Sequence, residues 1–147
     1  MPDNLTHHRN ERGQLREATQ GLGLQDYVGW WRGVTAVDAD EDGRMDLVVG
    51  NWGLNTKYQV RGGHGRRLYS GDFGGQGEVE LIESYFDDSM KRWVPERELM
   101  AVSQPMPWVR EKYGTHEAYA NAGVLELLGE RVALAKVREA NWLATTL

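Results

Sequence analysis

The sequence predicts a mainly β chain with a short α-helical insertion, and three observations carry that reading. Apolar stretches before residue 95 are short, β-branched and bounded by turn residues, as in Val34-Thr-Ala-Val37 and Leu47-Val-Val-Gly50, the mark of strands rather than helices. Eighteen Gly, six Trp and six Tyr in 147 residues suit tight turns and bulky packing between small sheets. From Pro95 the pattern changes, and Ala118, Ala122, Leu125 and Leu128 recur at helical spacing.

Taken in order, residues 1–20 form a polar segment with a strand or turn near Arg9 to Leu15. Residues 33–37 and 46–50 form two strands, and the even apolar content of Met45, Leu47, Val48 and Val49 predicts burial on both faces. Asn51-Trp-Gly-Leu-Asn55 is a turn, with Trp52 as a packing plug or a ligand contact. Residues 57–65 form a loose loop whose lone His64 is solvated. Arg66 to Tyr69 starts another strand. Glu78 to Phe86 and Lys91 to Val94 make a hairpin around the turn residues Asp87 and Asp88. Over 95–135, Glu96 to Val102 is a short helix, Pro105-Met-Pro107 breaks it, and Trp108 to Tyr113 adds a turn or two. Thr115 is an N-cap for a longer stretch that stops at Gly129. Residues 136–147 resume as a strand anchored by Trp142.

The most informative run is Asp38-Ala-Asp40-Glu-Asp42-Gly43-Arg-Met-Asp46. It sets carboxylates at positions 1, 3, 5 and 9 of a loop, with glycine at position 6. Ca²⁺ takes six to eight oxygen ligands at roughly 2.3–2.6 Å, and alternate side chains converge on one point as such a loop curls. Gly43 permits the sharp bend, and the Arg44 carbonyl at position 7 adds a main-chain oxygen. An EF-hand needs a Glu at position 12 and flanking helices; here Val49 stands at that place between strand-like runs. The expected metal ligands are therefore Asp38, Asp40, Asp42, Arg44 and Asp46, in a β-hairpin calcium loop.

Gly29-Trp-Trp-Arg-Gly-Val34, the aspartate loop, and Asp46-Leu-Val-Val-Gly-Asn-Trp-Gly-Leu-Asn55 together resemble the FG-GAP or VCBS-type repeat of integrin-α-like proteins. Leu68-Tyr-Ser-Gly-Asp-Phe73 resembles the start of a next repeat, and the helical stretch from Tyr113 to Leu128 resembles an insertion in bacterial members. The resemblance spans residues 20–147. It implies part of a β-propeller: about two to three blades of four-stranded antiparallel sheet, with repeats over 21–94, the helical insertion over 95–135 and a truncated strand over 136–147. Residues 1–20 would be the tail of a preceding repeat, and the remaining blades of the parent propeller would be partners of this segment. A second calcium loop is implied at Asp72, Gln76, Glu78 and Glu80. There Gly74 stands at position 3 and a neutral Gln at position 5, so the site is weak or the turn metal-free.

Composition narrows the functional classes. A net charge of −5 argues against a nucleic-acid surface. No apolar run reaches the roughly 20 residues of a spanning helix, and the lack of Cys excludes disulfides and thiolate metal sites. Gly-x-Ser-x-Gly, phosphate-loop and His-Glu-x-x-His patterns are missing, so no catalytic set is expected. By resemblance, the chain is a calcium-binding scaffold for a protein or glycan ligand on a secreted or cell-surface protein, extracellular or periplasmic. The alternatives are a domain of a carbohydrate-active lyase or hydrolase, and a purely structural repeat.

Overall fold

A computed structural model describes residues 2–58 and 63–146; the loop expected over 57–65 falls partly outside the described residues, at 59–62. The chain is mainly β, with small antiparallel sheets and a few short helices. It divides into two compact units, Met1–Val60 with Ala140–Leu147, and Arg61–Glu139. Among the described residues, no helix is long and apolar enough to cross a membrane.

The first unit is made of two-stranded ribbons. β1 (Asp3–Asn4) is followed by the hairpin of β2 (His8–Glu11) and β3 (Gln14–Glu17), and then by β4 (Val28–Gly29), which pairs with β1. The β2–β3 turn uses left-handed Arg12 and Gly13, with the Gly13 N–H donating to Asn10 Oδ1 at 2.8 Å. β5 (Trp31–Val37) and β6 (Asp46–Asn51) form the longest ribbon, with Val37 opposite Asp46 and Val34 opposite Val49. Burial on both faces was expected of β6. Instead Met45 is 66% exposed and Leu47 is exposed as well, while Val48 and Val49 are half-buried; Val34 and Val37 of the neighbouring strand are also exposed. Apolar residues on both parities report that a strand can be covered on both faces, and actual burial depends on the layers that pack against it.

What ties this unit together is polar. Asn51, only 3% exposed, donates from Nδ2 to the Trp142 carbonyl at 2.8 Å and accepts the Gly53 N–H on Oδ1 at 2.8 Å. Its own N–H reaches Thr145 Oγ1, and its carbonyl accepts from Asn55 Nδ2. The strand expected over 136–147 ends at Ala140. Residues 141–146 run instead as an irregular strap, with Asn141 Oδ1 taking the Val28 N–H and Thr146 exchanging backbone hydrogen bonds with Val49. Trp52 is not the plug the sequence suggested: it is 48% exposed, with the Arg32 guanidinium 4.7 Å from its ring centroid.

The second unit holds a four-stranded sheet and the apolar core. β7 (Arg66–Gly71), β8 (Glu80–Asp87) and β9 (Arg92–Pro95) are joined as antiparallel neighbours, with Tyr69 opposite Ile82 and Phe86 opposite Trp93. Four helices follow: α1 (Leu99–Ser103), α2 (Pro107–Lys112), α3 (His116–Ala120) and α4 (Val124–Leu128). β10 (Lys136–Ala140) then lies along the outer edge of β7. Helices this short are not stable alone. They persist because Leu99, Val102, Met106, Val109, Leu127 and Leu128 bury against Tyr69 and Ile82 of the sheet and Phe73 of the loop between β7 and β8.

Local chemistry sets the helix ends. Pro107 occupies the first turn of α2, where its missing N–H costs nothing. Thr115 caps α3 by accepting the Ala118 N–H at 3.1 Å, as its sequence predicts. The single stretch expected from Thr115 to Gly129 is broken at Gly123, which is extended and gives its N–H to Glu126 Oε2. A Cβ there would meet Arg92 Cδ at 3.0 Å. The break rotates the apolar stripe, so Leu125, expected inside, is 60% exposed, and Leu127 takes its place.

Asn51→Ala should cost about 1–3 kcal/mol because it strands buried groups, and Leu127→Ala about 2–5 kcal/mol, both read from urea unfolding. Burial pushes the Tyr119 hydroxyl well above the ordinary tyrosine range, with the neighbouring Tyr113 adding to the rise, while the hydroxyl donates to the Arg97 carbonyl. The unfolded chain loses this proton near pH 10 and the folded chain holds it. Its contribution is therefore full below about pH 10 and lost as pH rises further. Tyr119→Phe should flatten that alkaline fall in melting temperature.

Candidate metal centre

The Asp38–Asp46 loop folds around its first carboxylate. Asp38 Oδ1 accepts the Asp42 N–H at 3.0 Å, and Oδ2 accepts the Gly43 N–H at 2.9 Å. Asp46 Oδ2, from the first residue of β6, accepts the Ala39 N–H at 3.1 Å. Asp40 Oδ1 shares the Asp42 N–H, and Asp42 Oδ1 takes the Arg44 N–H at 2.8 Å. The backbone turns through positive φ at Glu41 (61°) and Gly43 (84°).

Of the residues expected to bind metal, Asp38, Asp40 and Asp42 are brought together, with one ligand oxygen each and all three within 4.8 Å of one another. Asp38 is half-buried and the other two are exposed. Asp46 stands outside that triad, on the Ala39 amide. Arg44 enters through its N–H to Asp42. Two like charges about 4 Å apart repel by roughly 1 kcal/mol in water, which is about what one amide hydrogen bond returns. The loop's own amides thus suffice to gather the triad.

The second loop repeats this path at a constant offset. Asp72 Oδ1 accepts the Gln76 N–H and Oδ2 the Gly77 N–H, both at 2.9 Å. Glu80, the first residue of β8, accepts the Phe73 N–H on Oε2 at 2.7 Å. Gly75 and Gly77 have φ of 72° and 81°, where the first loop has Glu41 and Gly43. The strand register agrees too: Gly71 faces Glu80 as Val37 faces Asp46, and Tyr69 faces Ile82 as Thr35 faces Val48. One hairpin design is used twice.

The interiors of the two loops differ. Glu80 is one methylene longer than Asp46 and is 8% exposed. Its Oε1 would lie 2.8 Å from a Cβ on Gly74, and Oε2 also takes the Gly74 N–H at 3.4 Å. The carboxylate of position 9 therefore fills the space that the side chain of position 3 has in the first loop. Gln76 and Glu78 are exposed, and among the described residues no group of three metal-ligating side chains forms here. Sequence reasoning saw the missing carboxylates but not their replacement. The pairing of Gly at position 3 with Glu at position 9 was the available signal.

No protein-family model, no curated protein and no solved structure matches the chain.

Gly74→Ala should displace Glu80 from the Phe73 amide and cost about 1–3 kcal/mol. Adding Glu80→Asp should restore part of that loss, seen as a favourable coupling in a double-mutant cycle of unfolding free energies. Additive losses would show that the two residues do not compete for one space.

Proposed function

We propose that the Asp38–Asp46 loop binds Ca²⁺ and that the chain is a calcium-stabilised β-hairpin repeat serving as a binding scaffold. The observation that carries this reading is the pair of loops with one backbone path, of which only the first keeps a carboxylate at every convergent position. The second supplies its own interior carboxylate from Glu80 and would need no ion to hold its turn. The first leaves three carboxylates facing one another across open space, at the cost of a left-handed Glu41, a backbone state worth of order 1–3 kcal/mol.

Asp38, Asp40 and Asp42 would hold the ion, with the Arg44 carbonyl as a main-chain ligand and Asp46 contributing the oxygen that Ala39 does not use. A hard cation with oxygen ligands fits this donor set. The ion would neutralise the loop and tie β5 to β6, stabilising the fold by mass action. At millimolar calcium and the 10⁻⁴–10⁻³ M affinities of extracellular modules, that amounts to about 0.4–1.4 kcal/mol.

The likeness to FG-GAP and VCBS-type repeats belongs to the same proposal. The four-stranded sheet of β7 to β10 is the size of one propeller blade, and the β5–β6 ribbon would be half of another. A secreted or surface location, where calcium is plentiful, and a protein or glycan ligand complete the reading.

Calorimetric titration with Ca²⁺ tests it, paired with melting curves in calcium and in chelator. One binding event is expected, lost in Asp38→Ala and in Asp40→Ala; both variants should fall further below the parent's melting temperature in calcium than in chelator, where Asp38→Ala loses only its two amide hydrogen bonds. Asp72→Ala should lower stability equally with and without calcium and leave the titration intact. A titration with no heat, or one abolished by Asp72→Ala, overturns the assignment.

A further inference from the structure

The β2–β3 hairpin serves no part of the apolar core. All eight of its strand residues are exposed, Leu15 at 70%. It is held at its base, where the His7 N–H donates to Oγ1 of the buried Thr19 at 3.0 Å and the Ala18 N–H donates to the His7 carbonyl at 2.8 Å. Beyond that base, stability alone would choose other side chains at two places.

The first is the pair Arg9 and Arg16, which face each other directly across the ribbon. Opposed strand side chains have Cβ atoms about 4.5–5.5 Å apart, and like charges at that spacing repel. Glu11 offsets Arg16 at 3.2 Å, but among the described residues no ion pair reaches Arg9 or Arg12. The second place is Arg12, at φ 57° in the turn, followed by Gly13 at φ 88°. Two-residue turns with both central residues left-handed favour Asn-Gly, because asparagine tolerates that backbone and a long side chain resists it. Here asparagine stands earlier, at Asn10, and arginine takes the strained position. Backbone outliers of this kind cluster at functional sites.

Asn10, Glu11, Arg12, Gln14 and Arg16 line one open groove, and strand alternation puts Arg9 on the same ribbon face as Glu11, Gln14 and Arg16. Asn10 accepts the Gly13 N–H on Oδ1, which leaves its Nδ2 as a donor, and the Gln14 amide is a second. Opposed guanidinium groups are satisfied by an anion shared between them, since each can bind two oxygens of a carboxylate or sulfate at once. The neutral amides beside them suit hydroxyl groups. A single-stranded nucleic acid would need aromatic rings on which bases stack, and the hairpin has no Phe, Tyr or Trp. A protein partner would need apolar anchors, and the hairpin offers only Leu15, on the opposite face. We infer that the β2–β3 hairpin binds acidic polysaccharide, with one carboxylate or sulfate group held between Arg9 and Arg16 and another by Arg12. Charge favours the match, because the hairpin carries three Arg against two Glu in a chain of net charge −5. The inference names a ligand for the binding scaffold proposed above and rests on that role, though not on the calcium loop, with which the hairpin shares no residue.

Fluorescence anisotropy of labelled heparin and polygalacturonate oligosaccharides, titrated with the full chain in chelator, tests it. Binding of either supports the inference and tells sulfate from carboxylate, and its strength should fall as salt rises. R9T and R12N should each weaken binding by about 1.5- to 5-fold, the worth of one exposed charge contact. Neither should lower the melting temperature, because the first removes a like-charge contact and the second relieves the left-handed turn. R110Q makes an equal change of charge at an exposed residue of α2 and should bind as the parent does. Binding of neither glycan at low salt overturns the inference, as does a loss in R110Q equal to that in R9T, or tighter binding of a single-stranded DNA of equal charge. Calcium binding without glycan binding removes this inference and leaves the calcium loop standing; glycan binding with a silent calcium titration does the reverse.

Discussion

Each long hairpin of this protein closes on one carboxylate that collects two successive amides from the far side of its own turn. Asp38 does this for β5 and β6, and Asp72 for β7 and β8. A second carboxylate at the start of the returning strand pins the residue after the first. Together they fix where the turn ends and which residues face each other. A slip of one residue would send every side chain to the opposite face. In the second unit such a slip would expose Tyr69 and Ile82, which the helices cover. The turn chemistry therefore lies upstream of the core: register comes from the loop, and burial follows from register.

The two units use that shared device toward different ends. In Arg61–Glu139 the hairpin supports a buried apolar cluster drawn from four helices too short to stand alone. In the other unit the same ribbon stays open, and cohesion comes from Asn51, Asn141 and the strap over 141–146. A polar hub of this kind contributes little net free energy per bond but penalises any arrangement that leaves its members unpaired. It favours one geometry over its competitors more than it deepens the well.

What the sequence made legible was local. The aspartate loop could be read because its logic is contained in nine consecutive residues and one glycine, and Thr115 because a cap needs only its own helix start. The errors lie where a distant residue decides. Leu125 fits a helical stripe until Gly123 breaks the helix against Arg92. Met45 and Leu47 have the composition of buried strand residues, yet burial depends on whether another layer arrives. Trp52 is the largest side chain of its turn, while the small neighbour Asn51 makes the long-range bonds, and hydrogen-bond partners ninety residues away leave no periodic trace. In the second loop, Glu80 and Gly74 are each unremarkable singly and meaningful only as a pair.

The strap has a consequence for how the molecule comes into being. The second unit is one contiguous stretch, so it can fold as soon as residue 139 has left the ribosome. The first unit waits: β4 and β6 are made early, but Asn141, Trp142 and Thr146, which satisfy Val28, Asn51 and Val49, are made only after the whole of the second unit. Until then the ribbon of β5 and β6 lacks the strap that meets β6 at Val49. The nascent chain thus passes through a stage in which the second unit is complete and the first is not, and residues 141–146 act as the latch that ends it.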